Sequence, residues 1–190
     1  IQEAPEIRDV QNWNAMMKQR QDMKVMDRSE EKLEGTNLKG VNLHQVDLSK
    51  SDFSGSNLND ANLEQALLAG ANFKKADMVR TNLKGAILEG AILDRAYLKD
   101  ANLANTNLRG ADLYGAVMTG ANLENADMSK ATLFDANLEK ANLKGANMTE
   151  VNLNGTNLEG ATISPTTILP SGKPATRDWA ARHDAKFIDR

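Results

Sequence analysis

The large hydrophobic residues of this chain recur at every fifth position over most of its length. From Thr36 to Pro165 the pattern runs without insertion, which makes 26 units of five residues. The central residue is always large and apolar, being Leu in 19 units, Met in four, Phe in two and Ile in one. The residue two places earlier is always Ala, Thr, Val or Ser, and it is Ala in 17 units. Each unit therefore offers one short and one large side chain to a core.

A period of five fits neither the 3.6-residue period of an α-helix nor the two-residue alternation of a β-strand. The chain must turn once in every unit, which predicts short extended edges joined by corners. If four edges close one turn, both core side chains point inwards and successive turns stack about 4.8 Å apart through backbone hydrogen bonds. The sequence thus predicts an all-β solenoid of about 6.5–7 turns with parallel edges.

Units such as Ala-Asn-Leu-Glu-Gln at 61–65, Ala-Asn-Leu-Lys-Gly at 141–145 and Ala-Asp-Leu-Tyr-Gly at 111–115 resemble those of the pentapeptide-repeat proteins. Units in that family read Ala-(Asp/Asn)-Leu-X-X, and the resemblance covers about two thirds of the chain. It implies a right-handed quadrilateral parallel β-helix. It implies little about activity, because the same fold serves unrelated functions.

The ends of a stacked column expose unpaired backbone groups and an apolar core, so the flanking segments are predicted to be caps. We expect three regions: an N-terminal helical cap at 1–35, the β-helix at 36–165, and a turn with a short helical cap at 166–190. Ile168 is expected to keep the repeat phase as a core residue, and Thr176 to cap the C-terminal helix. The predicted N-terminal helix carries Val10, Trp13, Met16, Met17, Met23 and Met26, and the C-terminal one carries Trp179, Ala180, His183 and Phe187. The main capping residues are predicted to be Trp13, Met17, Trp179 and Phe187.

Composition leaves little room for catalysis. The chain has no Cys, and its two His residues, His44 and His183, are expected near opposite ends of the column. This argues against thiolate metal sites, His-based metal sites and catalytic triads, so we expect no enzyme activity, no cofactor and no metal. The net charge of −3 gives no basic surface for nucleic acid, and no apolar run approaches the roughly 20 residues of a membrane helix.

The residue before each centre is Asn or Asp in 19 of 26 units. Because Asn and Asp interchange there, this outward slot is predicted to need a short hydrogen-bonding side chain rather than a titrating one. Residues 20 apart share a face, and one face carries an unbroken Asn series that we expect to form a vertical amide ladder. The members of that series are Asn42, Asn62, Asn82, Asn102, Asn122 and Asn142.

Five outward slots between residues 67 and 117 hold large apolar residues instead. Tyr114 and Phe134 each directly follow a central residue. They are predicted to lie beside the same corner as Ile92, Tyr97 and Val117. The apolar patch, a predicted partner-binding surface, comprises Ile92, Tyr97, Tyr114, Val117 and Phe134. Leu67 and Ile87 form a smaller stripe on another face. Contiguous exposed apolar surface is typical of an interaction site, although incidental exposure or a terminal segment folded over it would also fit.

These features predict a rigid, non-enzymatic interaction or scaffold module that binds a protein partner or a second copy through the patch or the caps. The family resemblance implies two further possibilities: a homodimer through the C-terminal segment, and DNA mimicry that modulates gyrase. Residues 36–165 hold 15 acidic and 12 basic residues spread almost evenly over four faces, which disfavours mimicry of DNA. The first residue, Ile1, is compatible with a removed targeting segment, so the thylakoid lumen or periplasm is expected, with the cytoplasm as the alternative.

Overall fold

The computed structural model describes residues 4–22 and 24–189. Helix α1 spans Val10–Gln19, strand β1 Thr162–Ile163, helix α2 Arg177–Arg182, and strand β2 Lys186–Phe187. Between α1 and β1 the chain forms parallel bridges between residues 20 apart, from Asp27↔Asp47 to Asn142↔Thr162. Four five-residue edges therefore complete each turn of a solenoid.

Backbone hydrogen bonds explain why each unit is an edge followed by a corner. In the unit at 101–105, the N–H of Leu103 donates to Asn122 O one turn above at 2.7 Å. The N–H of Asn102 donates to Thr81 O one turn below at 3.0 Å. The corner closes when the N–H of Thr106 donates to Leu103 O. Only the middle of an edge is bridged, so within the described residues regular strand is confined to β1 and β2, which pair near the C-terminus.

The core has the composition that the repeat predicts. Central Leu, Met and Phe residues are buried along the column, and so are the Ala residues two places earlier. Phe53 and Phe73 stack one turn apart, with ring centroids 4.9 Å apart and planes 3° from parallel. Where Thr81 replaces Ala, its hydroxyl donates to Leu58 O at 2.8 Å, so the buried oxygen is satisfied. Both predicted inward positions are confirmed.

The last position of each unit adopts a left-handed conformation. From residue 30 to residue 160 every fifth residue has φ between 56° and 72°. Gly suits this conformation best, and the predicted turn glycines, such as Gly110 and Gly120, do occupy it. More of these positions, however, hold Lys, Asp, Asn, Gln, Arg or Glu, so the corner forms without Gly at many of its turns.

At the N-terminal end the bridged column begins at Asp27, two units before Thr36. Trp13 of α1 is fully buried, and its Nε1–H donates to Asn42 O at 2.6 Å. Asn14 Oδ1 accepts the N–H of Asn42 at 2.7 Å, so α1 supplies partners where the first turn has no turn beneath it. Met17 is half-buried against the core. Met26 belongs to the first unit rather than to the helix, and Met23 lies outside the described residues.

The C-terminal end departs from the sequence prediction in two ways. Asn147 bridges Ile168, 21 residues later, so one residue is inserted near Pro165. Ile168 therefore takes an outward slot and Leu169 is the buried residue, contrary to the predicted phase. Phe187 lies in β2, not on the helix, because β2 adds a parallel strand to β1 with Phe187 opposite Ile163.

Helix α2 nonetheless begins as the sequence predicts. The hydroxyl of Thr176 accepts the N–H of Trp179 at 3.1 Å, the hydrogen bond expected of an N-cap. Trp179 is half-buried against the core, and its ring stacks on His183 with centroids 3.8 Å apart. The C-terminal segment thus contacts the top of the column through a short helix followed by a strand.

Candidate interaction surface

The outward slot is defined by one local hydrogen bond. In unit after unit the side-chain oxygen of Asn or Asp accepts the backbone N–H two residues further on, as Asn102 does from Ala104 at 3.0 Å and Asp112 from Tyr114 at 3.0 Å. Both residue types make the bond with the same oxygen, so the slot requires an acceptor and no titration, as predicted.

The predicted amide ladder is wrong. In the Asn series each Oδ1 is committed to its own corner, for example that of Asn82 to the N–H of Lys84 at 3.0 Å. The Asn82 side-chain amide donates to Glu64 Oε2 at 3.3 Å, and the Asn142 side-chain amide donates to Glu124 Oε2. A corner N–H two residues away is closer than an amide one turn away, so the local bond forms instead.

The apolar slots give up this hydrogen bond, because Leu, Ile, Val and Tyr have no acceptor oxygen in the place of Oδ1, three bonds from Cα. Tyr97 bridges Asp77 below and Val117 above, so two apolar slots follow each other in a row that is Asn or Asp at its other places. Its side chain is 48% exposed, the largest value among the patch residues. Ile92 and Ile87 are also exposed, whereas Val117 and Leu67 are half-buried.

Two faces meet at the patch. We call the row containing Tyr97 and Val117 the Tyr97 face, and the row containing Ile92 and Asp112 the Ile92 face. Tyr114 and Phe134 lie one turn apart at the corner between them. Their rings are stacked, with centroids 5.6 Å apart and planes 11° from parallel. Both side chains are exposed, so they form an aromatic ridge along this corner.

The smaller stripe lies on a separate face. Leu67 and Ile87 bridge each other, with Asp47 below and Asn107 above. The structure thus brings Leu67 and Ile87 together and keeps them apart from the row of Tyr97. Sequence analysis did not single out Val25 and Ile188, which are also exposed, because both lie outside the repeat where the five-residue register gives no orientation.

Charged side chains surround the ridge. Asp94 lies on the corner below Tyr114, with Lys74 Nζ at 4.0 Å and Arg95 Nε at 3.2 Å from its carboxylate. At the next corner Arg80 donates two hydrogen bonds to Asp60, at 2.7 and 3.1 Å. That hydrogen bond lowers the pKa of Asp60 and raises the pKa of Arg80. Opposite charges alternate here, whereas a DNA mimic would require an unbroken acidic row.

The rest of the described surface offers little for chemistry. Within residues 4–22 and 24–189, no group of His, Asp and Glu is arranged to hold a metal ion, and no helix is long and apolar enough to cross a membrane. A groove of about 360 Å³ lies between the segment after α1 and the Asn series. Its wall mixes Arg20, Asp22, Lys24, His44 and Glu64, so neither charge nor apolar surface dominates it.

A solenoid of five-residue edges with an Asn or Asp slot defines a class of repeat protein, and the family models agree. The model for pentapeptide repeats matches in eight copies, over residues 32–65, 56–95, 96–135 and 126–164. The chain belongs to the pentapeptide-repeat family. These proteins are quadrilateral β-helices and, in general, structural or interaction modules.

Solved structures of the same family resemble the chain over much of its length. HetL from Nostoc sp. strain PCC 7120, described as involved in heterocyst differentiation regulation, is 23% identical; the match covers 85% of this chain and 97% of HetL, with a TM-score of 0.34. QnrB1, a plasmid-mediated fluoroquinolone resistance protein, is 18% identical, with coverages of 87% and 86% and a TM-score of 0.41. A thylakoid-lumen protein of Arabidopsis thaliana is 27% identical, with coverages of 80% and 74% and a TM-score of 0.23. No curated protein matches the chain.

Proposed function

We propose that the chain is a non-enzymatic interaction or scaffold module that binds a protein through the apolar patch. Its frame would be a right-handed column of about 6.5–7 turns closed by helical caps at both ends. The observation that carries the proposal is the loss of the Asn or Asp slot at Ile92, Tyr97 and Val117, beside the ridge of Tyr114 and Phe134.

Energetic considerations support a surface selected for binding. Each apolar slot forfeits a hydrogen bond whose net contribution is about 1 kcal/mol. It also leaves an aromatic or branched side chain in water, although the repeat offers Asn as an alternative that fits the corner. Tyr is enriched among the residues that dominate binding energies, because its large ring combines apolar area with a polar hydroxyl. A rigid column holds these rings in place before binding, which lowers the entropic cost of association.

The stripe of Leu67 and Ile87 and the two caps are secondary candidates for contact. A homodimer through the C-terminal segment would use the end of the column, where Leu153 is only half-buried although other central residues are fully buried. Modulation of gyrase by DNA mimicry gains no support from the alternating charges of Asp60 and Arg80. An effect of the purified protein on DNA supercoiling by gyrase would support that alternative.

The test is affinity isolation from the cells that make the protein, with three baits. The first is the unchanged chain. The second replaces Tyr97 by Asn and Tyr114 by Ser, residues that occur naturally in equivalent positions such as Asn57 and Ser54. The third carries Asn102→Asp and Asn122→Asp on the Asn series, where the slot accepts either residue.

We expect a protein that the unchanged and third baits retain and the second bait loses. That protein, once purified, should bind the unchanged chain in a titration at least roughly tenfold more tightly than it binds the second variant. Equal capture and equal affinity for all three baits would show that the patch is not the binding surface. Circular dichroism of each bait before use confirms that all three are folded.

A further inference from the structure

We propose that the occupant of the apolar patch is a second copy of this chain, docked with its column antiparallel to the first. This inference rests on the proposed function, because it names the partner of the same surface. It uses the side of the column and not either end. The argument depends on how charge and aromatic side chains are distributed above and below Tyr114.

The charge of the side chains changes sign along the corner that carries the ridge. Its last-position residues, one turn apart, are basic below Gly115 and acidic above it. In order up the column they are Lys75, Arg95, Gly115, Asp135 and Gly155. Two close approaches show the order of these side chains along the column. Arg95 Cγ lies 3.1 Å from where a Cβ on Gly115 would be. Asp135 Oδ1 likewise lies close to where a Cβ on Gly155 would be. Arg95 and Asp135 therefore lie one turn below and one turn above Gly115.

The same asymmetry extends over the surrounding surface. Two turns below the ridge, basic side chains outnumber acidic ones, whereas above it acidic side chains outnumber basic ones. The lower set is Lys74, Lys75, Arg80, Arg95 and Lys99 against Asp77, Asp94, Asp100 and Asp60, the ion-pair partner of Arg80, and the upper set is Asp112, Asp135, Glu139 and Glu159 against Lys140. A second copy related by a twofold axis perpendicular to the column places each upper set opposite a lower set. A parallel arrangement would place like charges together.

The aromatic side chains obey the same symmetry. A twofold axis at Gly115 brings Tyr114 of the two copies together. Tyr97 lies about one turn below that level and Phe134 one turn above it, so Tyr97 of one copy comes to the level of Phe134 of the other, on the face beside it. Arg95 meets Asp135 of the second copy on either side. The patch is thus self-complementary in the placement of its aromatic side chains and in charge, as an isologous interface requires.

The size of the surface sets the expected affinity. A face about 10 Å wide and roughly 31 Å tall buries on the order of 300 Å² per copy. The total lies below about 1,200 Å², where the range of stable interfaces begins, which indicates a weak dimer. Opposed charges contribute to this affinity, so added salt should weaken the dimer.

Sedimentation velocity of the full chain, from about 5 µM to about 500 µM, tests the inference directly. We expect reversible dimerisation that the Tyr97→Asn, Tyr114→Ser variant abolishes and the Asn102→Asp, Asn122→Asp variant keeps. The C-terminal segment is intact in all of these variants. A dimer that survives in the patch variant would lie elsewhere, as at the C-terminal end, and would overturn the inference.

Charge exchange tests the antiparallel geometry. Arg95→Asp alone and Asp135→Arg alone should each weaken the dimer roughly tenfold, because both place like charges opposite each other twice. The double variant should return to within about threefold of the unchanged chain. Both substitutions should fold, since Asp60, Arg80 and Asp100 adopt the same left-handed corner conformation. Absence of rescue would overturn the antiparallel arrangement.

The outcomes separate the two proposals. If the unchanged chain stays monomeric at about 500 µM but the patch-dependent partner is found by affinity isolation, the second-copy inference fails and the proposed function stands. If neither appears, both fail. If the dimer and its charge rescue appear, the patch is an interface between copies.

Discussion

Leu103→Ala tests the physical basis of the column. Leu103 is the central residue of a mid-column unit and is fully buried, as are Leu83 below it and Leu123 above it. The backbone around it is held from both sides, because the N–H of Leu103 donates to Asn122 O and the N–H of Leu83 donates to Asn102 O, both at 2.7 Å. The neighbours therefore cannot move in to fill the space that a smaller side chain would leave.

The expected loss follows from this rigidity. Buried Leu→Ala substitutions in proteins lower the free energy of unfolding by about 2.7–5.0 kcal/mol, and the larger values belong to sites that do not collapse. We expect about 4 kcal/mol for Leu103→Ala. Leu153 provides a matched control at the end of the column, where no unit of the repeat stacks above it and its side chain is only half-buried. Leu153→Ala should cost about 1–2 kcal/mol, since less surface is removed from contact.

Urea unfolding followed by circular dichroism measures both losses, with the slope of the transition compared as a check that each variant exposes a similar area on unfolding. The order of the two losses is the decisive result. If Leu103→Ala cost no more than Leu153→Ala, the central column would be able to relax, and the rigid stack described above would be wrong.

Three further outcomes concern the slot, the corner and one ion pair. Asn102→Asp should leave stability nearly unchanged, whereas Asn102→Ala should cost about 1 kcal/mol in urea unfolding, because only Asp keeps the acceptor. Gly110→Ala should cost about 1 kcal/mol for its left-handed backbone, and Gly120→Ala should cost more, because its Cβ would also displace the carboxylate of Asp100 one turn below. NMR titration should find the pKa of Asp60 below that of an ordinary Asp, and Arg80→Gln should raise it. The paired, ionised form of Asp60 then contributes to stability at neutral pH and is lost as pH falls through the lowered pKa.

The repeat could be predicted from the sequence because one constraint acts in every unit. A five-residue period forces a turn, and the alternation of small and large residues fixes which side chains point inwards, as Ala101 and Leu103 do. The same register predicts that Tyr97 and Ile92 point outwards, as they do. The spacing of 20 residues predicts that Tyr114 and Phe134 lie one turn apart beside one corner, and the structure adds that their rings stack.

The structure of the two ends was harder to predict from the sequence, because the five-residue repeat does not extend to them. The insertion near Pro165 moves Leu169 into the core, and only the buried Thr167, whose hydroxyl donates to Leu143 O at 2.7 Å, marks the new phase. Thr occupies the small slot in four units of the repeat, so Thr-Ile-Leu at 167–169 could have revealed the shift. Phe187 gave no such signal, because an apolar residue after a short helix suits a further turn of helix as well as an added strand.

The most direct test of the interaction surface is photocrosslinking in the cells that make the protein. A benzophenone amino acid replaces Tyr97 in one variant, Tyr114 in a second, and Asn102, on the neighbouring Asn series, in a third. We expect a covalent adduct from positions 97 and 114 and none from position 102, and the adduct mass distinguishes a second copy from another protein. Adducts of equal yield from all three positions, or from position 102 alone, would contradict the assignment of the patch as the binding surface.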